Sequence, residues 1–145
     1  MNKVGIITWI RYQNYGTVLQ ATALADVIHK MGYNPVEIDY RPRSINDDSR
    51  FNFYIGLNDI KKRIKNIFNR LYESPRKTEL YDNYLFANLS MTIPCNTEPE
   101  LRALNEVFDA FVCGSDQIWT PVGFNDKYFL SFVNNPEKMV AYAPS

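Results

Sequence analysis

Residues 108–119 form an apolar run that leads directly into a polar turn: Phe108-Asp109-Ala110-Phe111-Val112-Cys113-Gly114-Ser115-Asp116-Gln117-Ile118-Trp119. Phe and Val favour a pleated backbone, so the run predicts a buried strand over 108–113. In open α/β sheets, ligands bind beyond the carboxyl ends of the strands. The candidate binding residues after this strand are Ser115, Asp116, Gln117 and Trp119. The alternative is structural, with the Asp capping a following helix and the Trp filling the core.

Upstream of this stretch, the chain carries a βαβ pattern. Residues 4–10 are a short, continuous apolar run, typical of a strand that is buried on both faces of a parallel sheet. Residues 17–31 repeat apolar side chains at helical spacing and end before Gly32, and 35–40 alternates as a second strand. Strand, helix and strand in this order predict parallel strands joined by a right-handed crossover.

The full pattern predicts an α/β protein with a Rossmann-like, mainly parallel sheet flanked by helices. We expect strands near 4–9, 35–39, 108–113 and 139–143. We expect helices over 57–72, 76–88 and 98–106, and the apolar run 128–133 is of no assigned type. Residues 1–145 are interpreted as a single, incomplete lobe with a helical, basic insertion at about 43–95.

A second polar turn follows the first predicted strand and contains Asn14, Tyr15 and Gly16. Free backbone N–H groups at a helix N-terminus favour anions, and Gly16 lets a ligand or another backbone approach closely. The turn lacks the G-x-G-x-x-G pattern, so a dinucleotide is not indicated. Both turns follow parallel strands and open on the same edge of the sheet, which predicts a shared cleft. The alternative for this turn is an ordinary strand-to-helix connection.

Composition narrows the classes of partner and compartment. The net charge is zero over 145 residues, so the molecule as a whole is no electrostatic match for nucleic acid. The two cysteines, Cys95 and Cys113, have no metal-site spacing, and we predict neither a metal nor a cofactor. The N-terminus has no signal-peptide pattern and no run of about 20 apolar residues exists, so we predict a cytoplasmic location. His29, late in the first helix, is a poor candidate for a general base.

Positive charge is concentrated in one part of this neutral chain. Residues 41–77 contain ten Lys or Arg and four Asp or Glu, and many of the basic residues lie on the predicted 57–72 helix. One interpretation is a solvated helix face. The other is peripheral contact of that helix with a membrane or another anionic surface.

Three segments together resemble the polysaccharide pyruvyl transferase family. They are Asn14-Tyr15-Gly16-Thr17-Val18-Leu19-Gln20-Ala21, the stretch 108–119 quoted above, and Val140-Ala141-Tyr142-Ala143-Pro144-Ser145. Their order and spacing are similar to those in the N-terminal half of that family. Residues 43–95 carry no matching motif.

This resemblance implies a two-lobed fold similar to the GT-B glycosyltransferases, with the active site between two Rossmann-like lobes. It implies transfer of a pyruvyl group from phosphoenolpyruvate to a pair of hydroxyls on a glycan or lipid-linked glycan, in exopolysaccharide biosynthesis. We expect Asp116 to be the catalytic carboxylate and this fragment, without a second lobe, to be inactive alone. The expected substrate-binding residues are Asn14, Tyr15, Gly16, Ser115, Gln117 and Trp119.

Two other classes of function stay open. One is a non-catalytic α/β binding or assembly module, whose exposed half-interface forms a homo-oligomer. The other is a lobe of a GT-B glycosyltransferase that uses a nucleotide sugar. That class shares the architecture but not the three motifs.

Overall fold

Four parallel strands form one sheet in the computed structural model. The strands are β1 (Lys3–Ile7), β2 (Asn34–Glu37), β3 (Ala110–Gly114) and β4 (Met139–Tyr142). Their order is β2-β1-β3-β4, and every neighbouring pair is parallel. The predicted α/β, Rossmann-like class is therefore confirmed. The structure describes residues 2–11, 14–41, 75–114, 118–119 and 125–143.

Three α-helices accompany the described strands: α1 (Tyr15–Lys30), α2 (Pro75–Asn88) and α3 (Glu98–Ala103). Single 3-10 turns cover Leu104–Glu106, Asp126–Phe129 and Pro136–Lys138. Helix α1 begins two residues before the predicted start, because the side chain of Asn14 caps it by accepting a hydrogen bond from the Gly16 N–H. The predicted basic helix 57–72 lies outside the described residues.

Side chains alternate between two cores, one on each face of the sheet. Val4 and Ile6 of β1 pack with Val112 and with Leu24 and Ile28 of α1. The next residues along the strands point to the other face, where Ile7, Phe111 and Cys113 pack with Leu101 and Phe132. Coverage on both faces explains why β1 and β3 are near-continuous apolar runs.

Part of the predicted helical insertion is an extended segment beside β2. Met91 and Cys95 make parallel bridges to Glu37 and Tyr40. The Glu37 N–H donates to the Ser90 carbonyl at 2.8 Å, and the Thr92 N–H donates to the Glu37 carbonyl at 2.9 Å. The extended segment therefore follows the predicted helix 76–88 within the insertion at about 43–95, and β2 has hydrogen-bonded neighbours on both sides.

Gly114 brings the ends of β3 and β4 close together. Its φ is +121°, and an added Cβ would lie 1.8 Å from the Tyr142 carbonyl oxygen. Gly114 and Tyr142 are register partners in the parallel pair. A side chain at this position would therefore collide with the backbone of the neighbouring strand.

Among the helices that the structure describes, none is both long and apolar enough to cross a membrane.

Candidate functional site

The strand order changes direction at β1, because β2 lies on one side of β1 and β3 lies on the other. Such a change of direction is the usual ligand position in open parallel sheets. Ile7 is paired with Cys113, so the two predicted turns leave from adjacent strand ends. Three of the predicted residues, Ser115, Asp116 and Gln117, lie outside the described residues. Their convergence with the first turn stays a prediction.

The first turn shows how its three predicted residues are used. The side-chain oxygen of Asn14 caps α1 by accepting a hydrogen bond from the Gly16 N–H at 2.9 Å. A Cβ on Gly16 would come within 3.2 Å of that oxygen, so a small residue fits the cap. The Tyr15 ring packs edge-to-face against Tyr81 at 5.5 Å and is about half exposed. These contacts give the turn a definite local structure and leave the Tyr15 ring open to a ligand.

Aromatic residues from three strand ends meet at the carboxyl edge of the sheet. We call Trp9, Tyr40, Trp119, Tyr128 and Phe129 the edge aromatic cluster. Tyr128 lies at its centre, with edge-to-face contacts to Trp9 at 6.0 Å and to Tyr40 at 5.7 Å. Trp9 follows β1, Tyr40 follows β2 and Trp119 follows β3. The cluster therefore lies at the edge where the shared cleft is expected.

Trp119, a predicted substrate-binding residue, belongs to this cluster through two directional contacts. Its indole N–H donates to the Tyr128 carbonyl at 3.1 Å. Its ring stacks on Phe129 with 4.9 Å between centroids and 8° between planes. Burial raises the pKa of the Cys113 thiol, and the Trp119 side chain beside that thiol opposes the rise. Trp119 is thus held against the end of β3, yet 37% of it is exposed.

A charged network occupies the edge beyond β1 and β2. Asp39 is buried and accepts hydrogen bonds from the side chains of Arg11, at 2.6 Å, and Arg41, at 2.8 Å. Arg11 also reaches Asp82 of α2 at 3.4 Å and lies over the Phe86 ring. Burial raises the pKa of Asp39, but the hydrogen bonds from Arg41 and Arg11 outweigh burial and hold that pKa below its usual value. Asp39 is therefore ionised at neutral pH.

Glu37 is the second buried carboxyl at this edge. It accepts a hydrogen bond from the Thr8 N–H at 3.2 Å. Within the described part of the chain, its other oxygen and the Thr8 hydroxyl have no hydrogen-bond partner. Burial raises the pKa of Glu37 well above its ordinary value, the Thr8 N–H opposes this, and the charge of Asp39 adds to the rise. The two carboxyls thus have pKa values shifted in opposite directions.

The sequence interpretation did not identify Glu37 or Asp39. Their alternation with apolar residues over 35–40 indicates a strand with one polar face. In an all-parallel sheet both faces are covered, so an acidic residue within a strand has to find partners inside the protein. That rule, together with the presence of Arg11 just beyond β1, could have indicated a buried charged network that contains these two carboxyls.

The substitution Glu37→Gln tests the raised pKa of the buried Glu37 carboxyl. In the unfolded chain, Glu37 ionises near its ordinary pKa of 4.5. In the folded protein the pKa is higher, so the carboxyl keeps its proton to higher pH. Stability supplied by this group is therefore complete below pH 4.5 and falls as the pH rises towards the folded pKa, by up to about 1.4 kcal/mol per pH unit. The Gln side chain does not ionise, so the variant has no such loss of stability. We expect Glu37→Gln to be more stable than the wild type at pH 7 and to lose that advantage below pH 4.5. Urea unfolding at several pH values measures this, and parallel pH profiles for the two proteins would contradict it.

No group of three or more His, Cys, Asp or Glu side chains is placed to hold a metal ion in the described ranges. The edge instead holds the aromatic cluster, a buried ionised carboxylate with two arginines, and a buried carboxyl whose pKa is raised well above its ordinary value. No family model matches the sequence, and no curated protein matches it significantly.

Proposed function

We propose that this chain is the N-terminal lobe of a polysaccharide pyruvyl transferase. The observation that carries the proposal is where the three family-like motifs fall in the sheet. The first begins at the α1 cap after β1, the second contains β3, and the third contains Val140 to Tyr142 of β4. Strands β1, β3 and β4 are adjacent and parallel, which supports a common ligand edge for all three motifs.

The reaction divides into steps that need different groups. Proton transfer to the methylene carbon of phosphoenolpyruvate creates an oxocarbenium-like centre at the neighbouring carbon. One sugar hydroxyl adds there and loses its proton. Inorganic phosphate then leaves, and the second hydroxyl takes its place and loses its proton, which the departing phosphate can accept, to close the ketal. The donor needs cations for its phosphate and carboxylate, and the acceptor needs its two hydroxyls oriented.

We assign this lobe mainly to the acceptor glycan. The two arginines described beyond β1 and β2 are bound to Asp39, and Arg11 also pairs with Asp82, so two carboxylates compensate their two charges. Within the edge aromatic cluster, Trp119 is 37% exposed and offers aromatic surface of the kind that a sugar ring contacts. The donor's phosphate and carboxylate then depend chiefly on a second lobe. In this arrangement Asp116 orients an acceptor hydroxyl or accepts its proton.

The proposal is tested with Asp116→Asn in a full-length protein that carries this lobe. We expect turnover to fall by about 100-fold, because an oriented carboxylate that handles a proton contributes at least that much. Pyruvylated glycan by mass spectrometry and released phosphate are the two readouts. Asp26→Asn, on an exposed α1 pair with Lys30, is the matched control and leaves turnover unchanged.

Two outcomes would contradict the proposal. Unchanged turnover in Asp116→Asn would remove this carboxylate from the mechanism. Efficient pyruvyl transfer by residues 1–145 alone would overturn the assignment of a half-site to this lobe, because one lobe cannot enclose the donor and exclude water.

A further inference from the structure

Helix α1 carries two rows of apolar side chains, one on its inner side and one on its outer side. The structure describes residues 14–41 without a gap, so the whole helix is included. The inner row faces the cores described above and contains Val18, Ala21, Leu24 and Ile28. The outer row takes every fourth residue and is exposed to solvent. We call it the α1 ridge, and it consists of Tyr15, Leu19, Ala23, Val27 and Met31.

The α1 ridge is large enough to bury a useful area against another molecule. Each of its four larger side chains is between 47% and 67% exposed. At these fractions the ridge presents roughly 500 Å² of apolar surface, and a patch of that size often marks an interface. Two such ridges together offer roughly 1,000 Å², which is the lower limit for a specific protein–protein interface.

The outer side of α1 also lacks the charges that a solvated helix carries. Residues 15–25 contain no charged side chain, although the helix turns its outer side to solvent along this stretch. A surface helix ordinarily has charged residues opposite its apolar stripe, whereas the core of an interface is depleted of charge. Helix α2 shows the ordinary pattern, because Arg76 and Glu79 are exposed beside its exposed Leu80. The composition of the α1 ridge therefore indicates a surface that another protein covers.

We propose that the α1 ridge is the interface of a homodimer, in which α1 of a second copy of this chain packs against it about a two-fold axis near Ala23. Rows of side chains spaced by four residues pack into each other's grooves with a helix crossing angle of about −50°. The small side chain of Ala23 at the crossing lets the two helices approach closely. Leu19 of each copy then faces Val27 of the other, and the longer Tyr15 and Met31 reach across where the helices diverge. The ridge is thus complementary to itself, as a two-fold interface requires.

Charge favours a second copy over a strongly acidic or basic partner. The charged pair nearest the ridge, Asp26 and Lys30, is closed within α1 at 2.6 Å and contributes no net charge. The Thr22 hydroxyl donates to the Val18 carbonyl at 2.8 Å, so its proton is not lost to water when the helix is covered. The chain has a net charge of zero, so two copies do not repel each other at long range. A highly charged partner would find no opposite charge on the ridge to bind.

The experiment measures the mass of the 145-residue chain in solution by sedimentation velocity, from about 1 µM to about 500 µM. We expect a monomer–dimer equilibrium with a Kd on the order of 10 µM, because the interface is small. Leu19→Glu places one carboxylate from each copy in the interface and should weaken the dimer at least tenfold. Leu80→Glu is the matched control: Leu80 is 57% exposed on α2 and Leu19 is 56% exposed, so the same change there should leave the Kd unchanged.

A pair of variants at Ala23 tests the position of the two-fold axis. Ala23→Glu and Ala23→Lys should each weaken the dimer, since two like charges would meet at the axis. An equimolar mixture of the two variants should associate again, because a carboxylate of one copy then meets an ammonium group of the other. Ala23 is exposed within a helix and both new residues are good helix formers, so we expect both variants to fold. Circular dichroism checks the fold, and if Leu19→Glu does not fold, the two Ala23 variants still decide the matter.

Several results would overturn the homodimer. One is a wild-type chain that stays monomeric up to about 500 µM. If Leu19→Glu also destabilises that monomer, another part of the same chain covers the ridge. A dimer that Leu19→Glu and Leu80→Glu weaken equally, or that neither changes, uses a different surface. A mixture of the Ala23 variants that does not associate contradicts the two-fold axis near Ala23. The homodimer does not rest on the proposed function, so a monomeric chain leaves the pyruvyl transferase proposal to its own test.

Discussion

Gly114→Ala is expected to lower the free energy of unfolding by about 3 kcal/mol or more, the largest effect we predict for a one-carbon change. The added Cβ would lie 1.8 Å from the Tyr142 carbonyl oxygen, which is backbone and cannot rotate away. Relief requires β4 to separate from β3 or Gly114 to leave its φ of +121°. Urea unfolding of the two proteins measures the difference, and we expect the variant to lose β3–β4 protection in amide exchange first.

Gly32→Ala is the matched control for backbone strain alone. Gly32 also has a positive φ, +90°, but an added Cβ there meets no atom within 4 Å. The free energy of unfolding of that variant should fall only by the cost of a left-handed conformation for alanine, about 1 kcal/mol. Equal losses at the two glycines would contradict the close approach of β3 and β4.

Asp39→Asn is expected to cost about 3 kcal/mol at pH 7. The substitution keeps the size of the side chain but leaves Arg11 and Arg41 facing a neutral group, and breaking a buried ion pair from one side is strongly destabilising. The lowered pKa of Asp39 means that its stabilisation is complete above its ordinary value of 3.8 and is lost as the pH falls through the folded pKa. The difference between wild type and variant should therefore shrink in acid.

The measurement is urea unfolding at pH 7 and at successively lower pH. Asp26→Asn serves as the control, because Asp26 pairs with Lys30 on the exposed side of α1 and exposed pairs contribute less than about 1 kcal/mol. A pH-independent difference at Asp39 would mean that packing, and not charge, accounts for the loss. Glu37→Gln and Asp39→Asn should thus change stability at neutral pH in opposite directions, although the two carboxyls are two residues apart.

The strands were predictable because apolar runs report burial directly. The predicted strand near 4–9 corresponds to Lys3–Ile7 and the one near 139–143 to Met139–Tyr142. The segment around Met91 was not predictable, since two isolated bridges to β2 leave no periodic pattern. The apolar run 128–133 was ambiguous for a related reason. Asn125 caps a 3-10 turn there and Leu130 adopts a φ of +61°, so backbone hydrogen bonds and not side-chain periodicity set its form.

The candidate site was predictable only in part. Residues that follow a strand in the sequence, such as Trp119, could be found by position alone. The partners of Glu37 and Asp39 could not, because Thr8, Arg11 and Asp82 come from β1's loop and from α2 and meet only in the folded chain. The roles of Asn14 and Tyr15 beyond the cap and the ring contact stay predictions, as do those of Ser115, Asp116 and Gln117.

The bridge between Tyr40 and Cys95 has a consequence for how this protein can vary through evolution. The Arg41 N–H donates to the Cys95 carbonyl at 2.8 Å, so two residues that are distant in the sequence meet beside the end of β2. The entropic cost of holding two such residues together grows only with the logarithm of the number of residues between them, by about 0.6 kcal/mol per doubling. Insertions and deletions between Arg41 and α2 are therefore expected to leave the strand order intact. Homologous proteins of different length should therefore differ in length mainly in that interval.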